Sequence, residues 1–276
     1  MKIFEIVQAR PLSNIIPVPV RDSRGFQYRR LRTKKPVDSK SGDSGWYVGI
    51  KATCPYHSAT ERIALHFLDF NTRVRIFRAH LPIYDSKKFV RKYEANETIW
   101  ANEVATVDID VLYETDDEVK FAQHGVSCKE NWEEFKKPAE ARRAARENAF
   151  YESIGATWEP VVKSYFETDE YDNYEFVLKH IRRSNVFGLD EQARRVAELW
   201  KRRGADDAVQ DLLEPFARTI GTDRHNLMKL TCVAIYLGHL RLDHQYQFNH
   251  HTQIQLRPDG IYRFGREVEP LPWGFN

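Results

Sequence analysis

Cysteine is scarce in this chain of 276 residues, and long apolar runs are missing. The three cysteines, Cys54, Cys128 and Cys232, are far apart and form no Cys-x-x-Cys pair. This spacing argues against a disulfide framework or a zinc ribbon and for a reducing compartment. No apolar run approaches the roughly 20 residues that a membrane helix needs, and no signal-peptide pattern opens the chain. These absences predict a cytoplasmic protein without a membrane partner.

A strong charge imbalance is missing as well. The formal net charge is +2 at pH 7, and the sequence pI is about 8.3. A nucleic-acid surface would therefore have to be a local patch. Basic residues near the N-terminus, interleaved with aromatic ones, predict such a patch for DNA phosphates, and a solvated loop is the alternative. The candidate DNA-binding residues are Arg29, Arg30, Arg32, Lys34 and Lys35.

The length allows two domains, and apolar periodicity predicts that the first is a compact α/β domain. A helix is expected after Ser58, because this residue is a natural N-cap and Glu61 completes a capping box. The elements that follow are predicted as strand, strand, strand, helix and strand, over residues 73–84, 106–111, 119–129, 138–155 and 157–167. This order is typical of a mixed sheet packed against helices.

The pattern changes to amphipathic helices near residue 185. Three helices are predicted, over residues 189–204, 206–221 and 222–238. Asp190 and Thr222 are the expected N-caps of the first and the third helix, and short strands with a turn at 258–260 follow. The predicted parts of the chain are an N-terminal basic extension, the α/β domain and a mostly helical, winged-helix-like domain, over residues 1–56, 57–184 and 185–276.

One strand pair carries the residue types that metal-assisted hydrolysis needs. Thr106, Asp108 and Asp110 alternate with apolar residues, as in a half-buried strand, and the next strand ends in Lys129. Cleavage of a phosphodiester needs carboxylates that hold Mg²⁺ or Mn²⁺ and a cation that orients the attacking water or offsets developing charge. Because a neighbouring helix can add Glu61, the candidate catalytic residues are Glu61, Asp108 and Lys129.

The order of these segments resembles a known family. The stretch PYHSATERIALHFLDFNTRVRIFRAHLPIY, followed by TVDIDV and VSCK, resembles the TnsA endonuclease subunit of heteromeric cut-and-paste transposases, in the PD-(D/E)xK restriction-endonuclease-like superfamily. GHLRLD and TQIQL resemble the C-terminal helical domain of that family, so the resemblance covers most of the chain past residue 55. It implies a restriction-endonuclease-like core in which Glu61 and Asp108 hold the metal and Lys129 lies beside the attacking water.

Ser127 departs from the pattern of this family, which has Glu or Gln two residues before the lysine. A serine hydroxyl is a shorter and poorer metal ligand than a carboxylate. Three alternatives follow: a bridging water, coordination by the backbone carbonyl of Cys128, or loss of the site. Ser127 and Cys128 are therefore included among the predicted metal ligands, and Ser127 among the catalytic residues.

The resemblance also implies a function and partners. It implies an endonuclease that depends on Mg²⁺ or Mn²⁺ and hydrolyses one strand at the 5′ ends of a transposon, leaving 5′-phosphate and 3′-hydroxyl ends. The implied partners are double-stranded DNA of the transposon ends, a DDE-type transposase subunit and an ATPase regulator of transposition. Two alternatives stay open: a stand-alone restriction or repair nuclease on the same fold, and a catalytically inactive scaffold that binds DNA or protein.

Each candidate catalytic residue has a structural alternative. Glu61 has a role in the capping box, which stabilises a helix by about 1 kcal/mol. Asp110 shares the strand face of Asp108 and competes for the metal, although the match to Thr-x-Asp-Ile-x-Val favours Asp108. Lys129, at the end of a strand, has a solvated lysine as its alternative.

Three further sets of residues have both a functional and a structural explanation. Histidines near Cys232 suggest zinc, but their spacing fits no standard ligand pattern, so polar surface histidines around a β-wing are expected. These histidines are His239, His244, His250 and His251. A basic stripe on the first C-terminal helix predicts a solvated face or a phosphate contact. Its members are Arg194, Arg195, Lys201, Arg202 and Arg203. Trp158 and Trp200 are expected in the core.

Charge reversal between Arg29 and Lys35 tests the predicted DNA patch. We expect Glu at these basic positions to weaken DNA binding and to flatten its salt dependence. A protein with fewer phosphate contacts releases fewer counterions when it binds DNA. Fluorescence anisotropy of a labelled duplex at several salt concentrations measures both quantities. Unchanged affinity at low salt would remove this segment from the DNA surface.

Overall fold

The computed structural model describes residues 3–5, 43–83, 87–98, 105–115, 121–203 and 207–256. The basic run from Arg29 to Lys35 and the turn predicted at 258–260 lie outside these ranges. Within them, the helices are too short or too polar to span a membrane.

Six strands and eight α-helices are formed by the described residues. The strands are β1 (Gly45–Val48), β2 (Thr53–Tyr56), β3 (Val74–Pro82), β4 (Thr106–Glu114), β5 (Phe121–Lys129) and β6 (Thr157–Val162). The helices are α1 (Ala59–Phe70), α2 (Lys87–Glu94), α3 (Trp132–Lys136), α4 (Pro138–Ser153), α5 (Thr168–Ile181), α6 (Asp190–Arg203), α7 (Val209–Ile220) and α8 (Arg224–Tyr236).

The last four strands form a mixed sheet in the order β3-β4-β5-β6. Strand β4 is antiparallel to both of its neighbours, with Ile109 opposite Ala79 and Val126. Strand β6 is parallel to β5, with Ser127 opposite Pro160. A parallel pair needs a crossover connection, and α3 and α4 lie in it. The predicted mixed sheet is therefore confirmed, while β1 and β2 form a separate antiparallel pair.

Helix α1 begins where the capping box predicts. The hydroxyl oxygen of Ser58 accepts the N–H of Glu61 at 3.1 Å, and this hydroxyl lies 3.3 Å from the Glu61 carboxylate. The same carboxylate accepts the N–H of His57 at 2.8 Å, so its backbone partner is the residue before the cap. Apolar residues such as Leu65 and Leu68 are fully buried in the core. The start of α1 is thus fixed by neighbouring residues, and the orientation of the helix is fixed by burial of its apolar face.

The polar face of β4 is not exposed, so the prediction of a half-buried strand is wrong. Asp108 and Asp110 are both buried, because side chains of α4 reach this face. Asp110 accepts a hydrogen bond from the hydroxyl of Tyr151 in α4 at 2.9 Å and one from Gln123 at 2.6 Å. It also forms an ion pair with Arg78. Sequence alternation identified a polar face, but alternation does not distinguish water from a covering helix.

Helix α5 was not predicted, and β6 ends earlier than expected. The strand stops at Val162, a 3-10 helix follows at Lys163–Tyr165, and α5 begins at Thr168. Residues Tyr174, Val177, Leu178 and Ile181 of α5 are buried at helical spacing, so the signal of an amphipathic helix was present and was not used. Helices α2 and α3 were also missed, and both of these are short.

The three C-terminal helices are present, but two of the predicted N-caps are wrong. Asp190 has helical backbone angles, because the 3-10 helix at Phe187–Leu189 runs directly into α6. Asp223, rather than Thr222, caps α8 and accepts the N–H of Asn226 at 2.9 Å. Beyond α8, the described residues include isolated bridges instead of regular strands, with Leu242 opposite Leu256 in one of them.

Gly125 of β5 permits the close approach of α4 to the sheet. A Cβ atom at this position would be 2.3 Å from Cε2 of Tyr151. We expect Gly125→Ala to lower the free energy of unfolding by about 1–3 kcal/mol, the usual effect of overpacking. Urea denaturation followed by circular dichroism measures this loss.

Tyr151→Ala provides the control for this substitution. In that background the ring is gone, so the additional effect of Gly125→Ala should be much smaller. An equal loss of stability in both backgrounds would show that the contact with Tyr151 is not the cause.

Candidate active site

A buried carboxylate of β4 lies within electrostatic reach of one carboxylate from α1 and one from α4. They belong to Glu61 of α1, Asp108 of β4 and Glu147 of α4, and we call these three residues the carboxylate cluster. All three are buried, and Asp108 raises the pKa of both glutamates through its negative charge. Cations from β5 and α4 surround them. The fold thus brings together the predicted Glu61 and Asp108 and adds a glutamate that sequence analysis did not identify.

Asp108 is at the centre of the cluster. One carboxylate oxygen accepts the N–H of Cys128 at 2.8 Å, and the other accepts a guanidinium N–H of Arg143 at 2.7 Å. Burial alone would raise the pKa of Asp108, but the positive charges of Arg143 and Lys129 outweigh it and hold this pKa below its ordinary value. Asp108 is therefore ionised at neutral pH, as a metal ligand has to be.

Glu61 has the opposite electrostatic environment. Burial is the main reason why its pKa rises from an ordinary 4.5 to about 8, and the charge of Asp108 adds to the effect. Hydrogen bonds from His57 and Ser58 oppose this rise. Two neighbouring carboxylates rarely ionise together unless a cation lies near them. The capping role and a place in the cluster are combined in this one side chain.

Glu147 is fully buried and has three hydrogen-bond donors. The hydroxyl of Ser127 and the indole N–H of Trp158, at 3.2 Å, donate to one carboxylate oxygen. The Nε of Arg143 donates to the other at 2.7 Å. Burial raises the pKa of Glu147 to about 7, although the charge of Arg143 lowers it. Ser127, predicted as a metal ligand, thus bonds to a carboxylate from α4.

Arg143 lies between two members of the cluster. It bonds to Asp108 and Glu147 and also donates to the carbonyl of Thr106 at 3.0 Å. Arg143 and Glu147 are four residues apart and so share one helix face. Since α4 also carries the exposed Arg142, its charge pattern alone did not reveal which residues face the sheet.

Lys129 closes the cluster at the end of β5. Its ammonium is 2.7 Å from a carboxylate oxygen of Glu140 in α4, and its side chain is only 15% exposed. This burial does not fit the alternative of a solvated lysine. Its charge lowers the pKa of Asp108, so the two predicted residues lie within electrostatic reach of each other.

Two histidines line the cluster on the side of β3. His80 Nε2 is 3.7 Å from the Glu61 carboxylate, and its ring stacks on that of His57 with centroids 4.3 Å apart. The backbone φ of His80 is +55°, a conformation that costs free energy in residues other than glycine and is frequent at functional sites. Sequence analysis missed His80, because it is one of three polar residues of β3, with Arg75 and Arg78, and its backbone conformation is not visible in the sequence.

The donor set of the cluster fits a hard divalent cation. Mg²⁺ and Mn²⁺ prefer oxygen ligands, and a cation would relieve the repulsion between Asp108 and both glutamates. In the described residues, however, no group of three His, Cys, Asp or Glu side chains has the arrangement of a metal site. Arg143 supplies the positive charge there. Cys128 contributes its N–H to Asp108, while its side chain belongs to the apolar core.

Asp110, the competitor of Asp108, is satisfied by Arg78, Gln123 and Tyr151 and has no exposed surface. Its hydrogen-bond partners account for it as a structural residue beneath α4. Asp108 interacts electrostatically with Lys129 and Glu61, and its choice over Asp110 as the metal ligand stays a prediction.

The histidines near Cys232 are scattered rather than clustered around a metal. His239 is half-buried and pairs with Asp190, with 2.6 Å between Nε2 and the carboxylate. His250 packs against Phe176. Cys232 is fully buried in the core.

The basic stripe of α6 is largely paired within the helix. Arg194, Arg195 and Lys201 form ion pairs with acidic residues three or four positions away. This arrangement fits the solvated-face explanation. Trp200 is buried and donates to Thr231 at 3.0 Å, which confirms its place in the core.

A cavity of about 660 Å³ lies apart from the cluster, between β1, α1 and α5. Its lining includes Trp46, Arg62, Asp172 and Lys179, and none of the carboxylate cluster. The lining of this cavity carries charges of both signs.

Comparison with models of known protein families gives no match for this chain, and comparison with curated proteins gives none either.

The raised pKa of Glu61 predicts a pH-dependent stability. Between pH 4.5 and about 8 the unfolded chain has lost this proton while the native state retains it, so unfolding becomes more favourable as pH rises. In metal-free buffer, we expect the free energy of unfolding of the wild type to fall across this window more than that of Glu61→Gln. Denaturant titrations at several pH values measure both slopes.

Glu147, whose pKa of about 7 is also raised, remains in the variant and leaves part of the slope. Parallel stability curves for the two proteins would show that Glu61 titrates normally in the native state.

Proposed function

We propose that this chain is a metal-dependent DNA endonuclease of the TnsA kind, with a restriction-endonuclease-like core. The observation that carries the proposal is the convergence of Glu61, Asp108 and Lys129. They come from a helix and two strands in the order that the resemblance requires. Glu61 and Lys129 both lie within electrostatic reach of Asp108. The mixed sheet with α4 in its crossover supports the same proposal.

In this proposal each member of the site has one task. Asp108 and Glu61 would hold Mg²⁺ or Mn²⁺ by their carboxylate oxygens. The ion, when bound, supplies an activated water and stabilises charge on the phosphate. Lys129 would orient the attacking water and offset negative charge that develops on the scissile phosphate. The side chains of α4 and β3 keep most bulk water away from these groups, which strengthens each electrostatic interaction.

The remaining parts of the chain would serve DNA and protein partners. Helices α6, α7 and α8, with the bridged segment after them, are proposed as the winged-helix-like part that contacts a DDE-type transposase subunit and an ATPase regulator. The basic run from Arg29 to Lys35 is proposed to contact the transposon-end DNA. The substrate would be one strand at each 5′ end of the element.

A catalytically inactive scaffold is the second candidate, and one observation favours it. Arg143 already forms ion pairs with both Asp108 and Glu147, so these carboxylates have a positive charge beside them without a metal ion. A guanidinium supplies positive charge but no activated water. On this alternative the cluster would be a buried ion-pair network, and the fold would act only by binding DNA or protein.

Asp108→Asn distinguishes an enzyme from a scaffold. The substitution keeps the shape of the side chain and removes the negative charge that a metal requires. We expect it to reduce Mg²⁺-dependent DNA cleavage by at least about 100-fold, since changes outside the metal ligands already cost 10–100-fold. Nicking of supercoiled plasmid, measured with the chain alone and with its transposition partners, checks this.

Glu133→Gln is the matched control, because Glu133 is an exposed carboxylate in α3. It should cleave like the wild type. Cleavage by the chain without any partner would favour a stand-alone nuclease over a transposase subunit. Equal cleavage by wild type and Asp108→Asn, or DNA binding by both without cleavage in the assembled complex, would contradict the proposed activity.

A further inference from the structure

Ser127 occupies the position in β5 where the family pattern has a carboxylate or amide side chain. A carboxylate from another element, that of Glu147, lies next to this position. The hydroxyl of Ser127 donates a hydrogen bond to Glu147, which reaches it from α4. Glu147 is fully buried, whereas Glu140 on the same helix is partly exposed. A short side chain at position 127 therefore leaves room for the glutamate of the helix beside the strand.

One cation already bridges Glu147 and Asp108. The guanidinium of Arg143 is 2.7 Å from a carboxylate oxygen of each of them. A cation at this position is therefore in contact with carboxylate oxygens of both residues. A divalent ion takes carboxylate oxygens at about 2.0–2.6 Å, so a metal shared by the two residues would have to replace the guanidinium.

We propose that Glu147 supplies from α4 the metal-binding carboxylate that β5 lacks at Ser127, and that Arg143 is an internal cation which the metal displaces. The inference rests on the proposed function, since it assigns ligands for the same ion. Ser127 then positions Glu147 by its hydrogen bond instead of binding the metal itself. Arg143 stabilises the metal-free protein and must turn away before the ion can bind both carboxylates.

Binding of Mn²⁺ to the full-length chain tests the inference without any measurement of cleavage. Electron paramagnetic resonance of free Mn²⁺ during a titration gives the dissociation constant. We expect Glu147→Gln to weaken binding by about tenfold or more. Arg143→Gln should strengthen it by about tenfold, the lower end of the effect of an Arg on a neighbouring carboxyl. Asp108→Asn should abolish binding.

Two exposed residues of α4 provide matched controls. Glu152→Gln removes a charge from an exposed carboxylate, and Arg142→Gln removes one from an exposed guanidinium. Both should bind Mn²⁺ like the wild type. Circular dichroism of every variant shows whether the fold is kept, which matters most for the buried Glu147 and Arg143.

The outcomes separate this inference from the proposed function. If Asp108→Asn abolishes binding while Glu147→Gln leaves it unchanged, Glu147 is only structural and the inference is overturned, but the metal site stands. Weaker binding in Arg143→Gln would overturn the role of Arg143 as a competitor. If the wild type binds Mn²⁺ no better than Asp108→Asn, the proposed metal-dependent activity fails as well.

Anomalous diffraction from a wild-type crystal soaked in Mn²⁺ needs no variant and so does not depend on variant folding. We expect a peak bonded to Asp108 and Glu147, with the Arg143 side chain turned away from them. A peak that contacts Asp108 and Glu61 but not Glu147 would overturn the inference while supporting the nuclease. Absence of a peak at the cluster would count against both.

Discussion

The burial of two aspartates of β4 beneath helix α4 is the constraint on which this structure depends. A buried carboxylate without partners is very unfavourable, so each aspartate requires donors from the elements around it. Asp110 has Arg78 from β3 and Tyr151 from α4, and Asp108 has Arg143 from α4. These bonds fix α4 in place over the sheet. A buried ion pair adds little net stability but strongly penalises the loss of one partner, so it favours one arrangement over others.

Another buried carboxylate connects the sheet region with the C-terminal helices. Asp69, at the end of α1, accepts hydrogen bonds from the hydroxyls of Tyr47 and Tyr236 at 2.7 and 2.9 Å. It also accepts the N–H of Ile50 at 2.9 Å. Since Tyr236 belongs to α8, one side chain ties together α1, the β1–β2 pair and the last helix. The apolar core likewise continues across the boundary predicted near residue 185. The division of the chain into domains at this position stays a prediction.

The carboxylate cluster is buried like the core, although it carries several groups of the same charge. Its negative charges are held close together, which is unfavourable by itself, and Arg143 offsets part of the repulsion. On the proposed function, a divalent cation would take the place of Arg143 between these carboxylates, and the guanidinium would be the positive charge of the metal-free protein. The positive charges of Arg143 and Lys129 lower the pKa of Asp108. Burial and the charge of Asp108 raise the pKa values of Glu61 and Glu147.

The sequence by itself determined the features that depend on neighbouring residues. Ser58 and Glu61 determine where α1 starts, alternation around Asp108 determines the strand, and the order of elements determines a mixed sheet. These signals are local, because capping and strand alternation involve residues only a few positions apart. The pair of strands that carries Asp108 and ends in Lys129, with a helix beside it, also predicted that Glu61 lies in the same region.

Only the tertiary structure decided which charged residues of α4 face the sheet. Arg143 and Arg142 are identical residue types next to each other in the sequence, and they differ in the surface that they contact after the helix has packed. The same reason explains the burial of Asp110, the strained backbone of His80 and the pairing of Ser127 with Glu147. Each depends on residues distant in the chain, which meet only when the sheet and the helix have formed together.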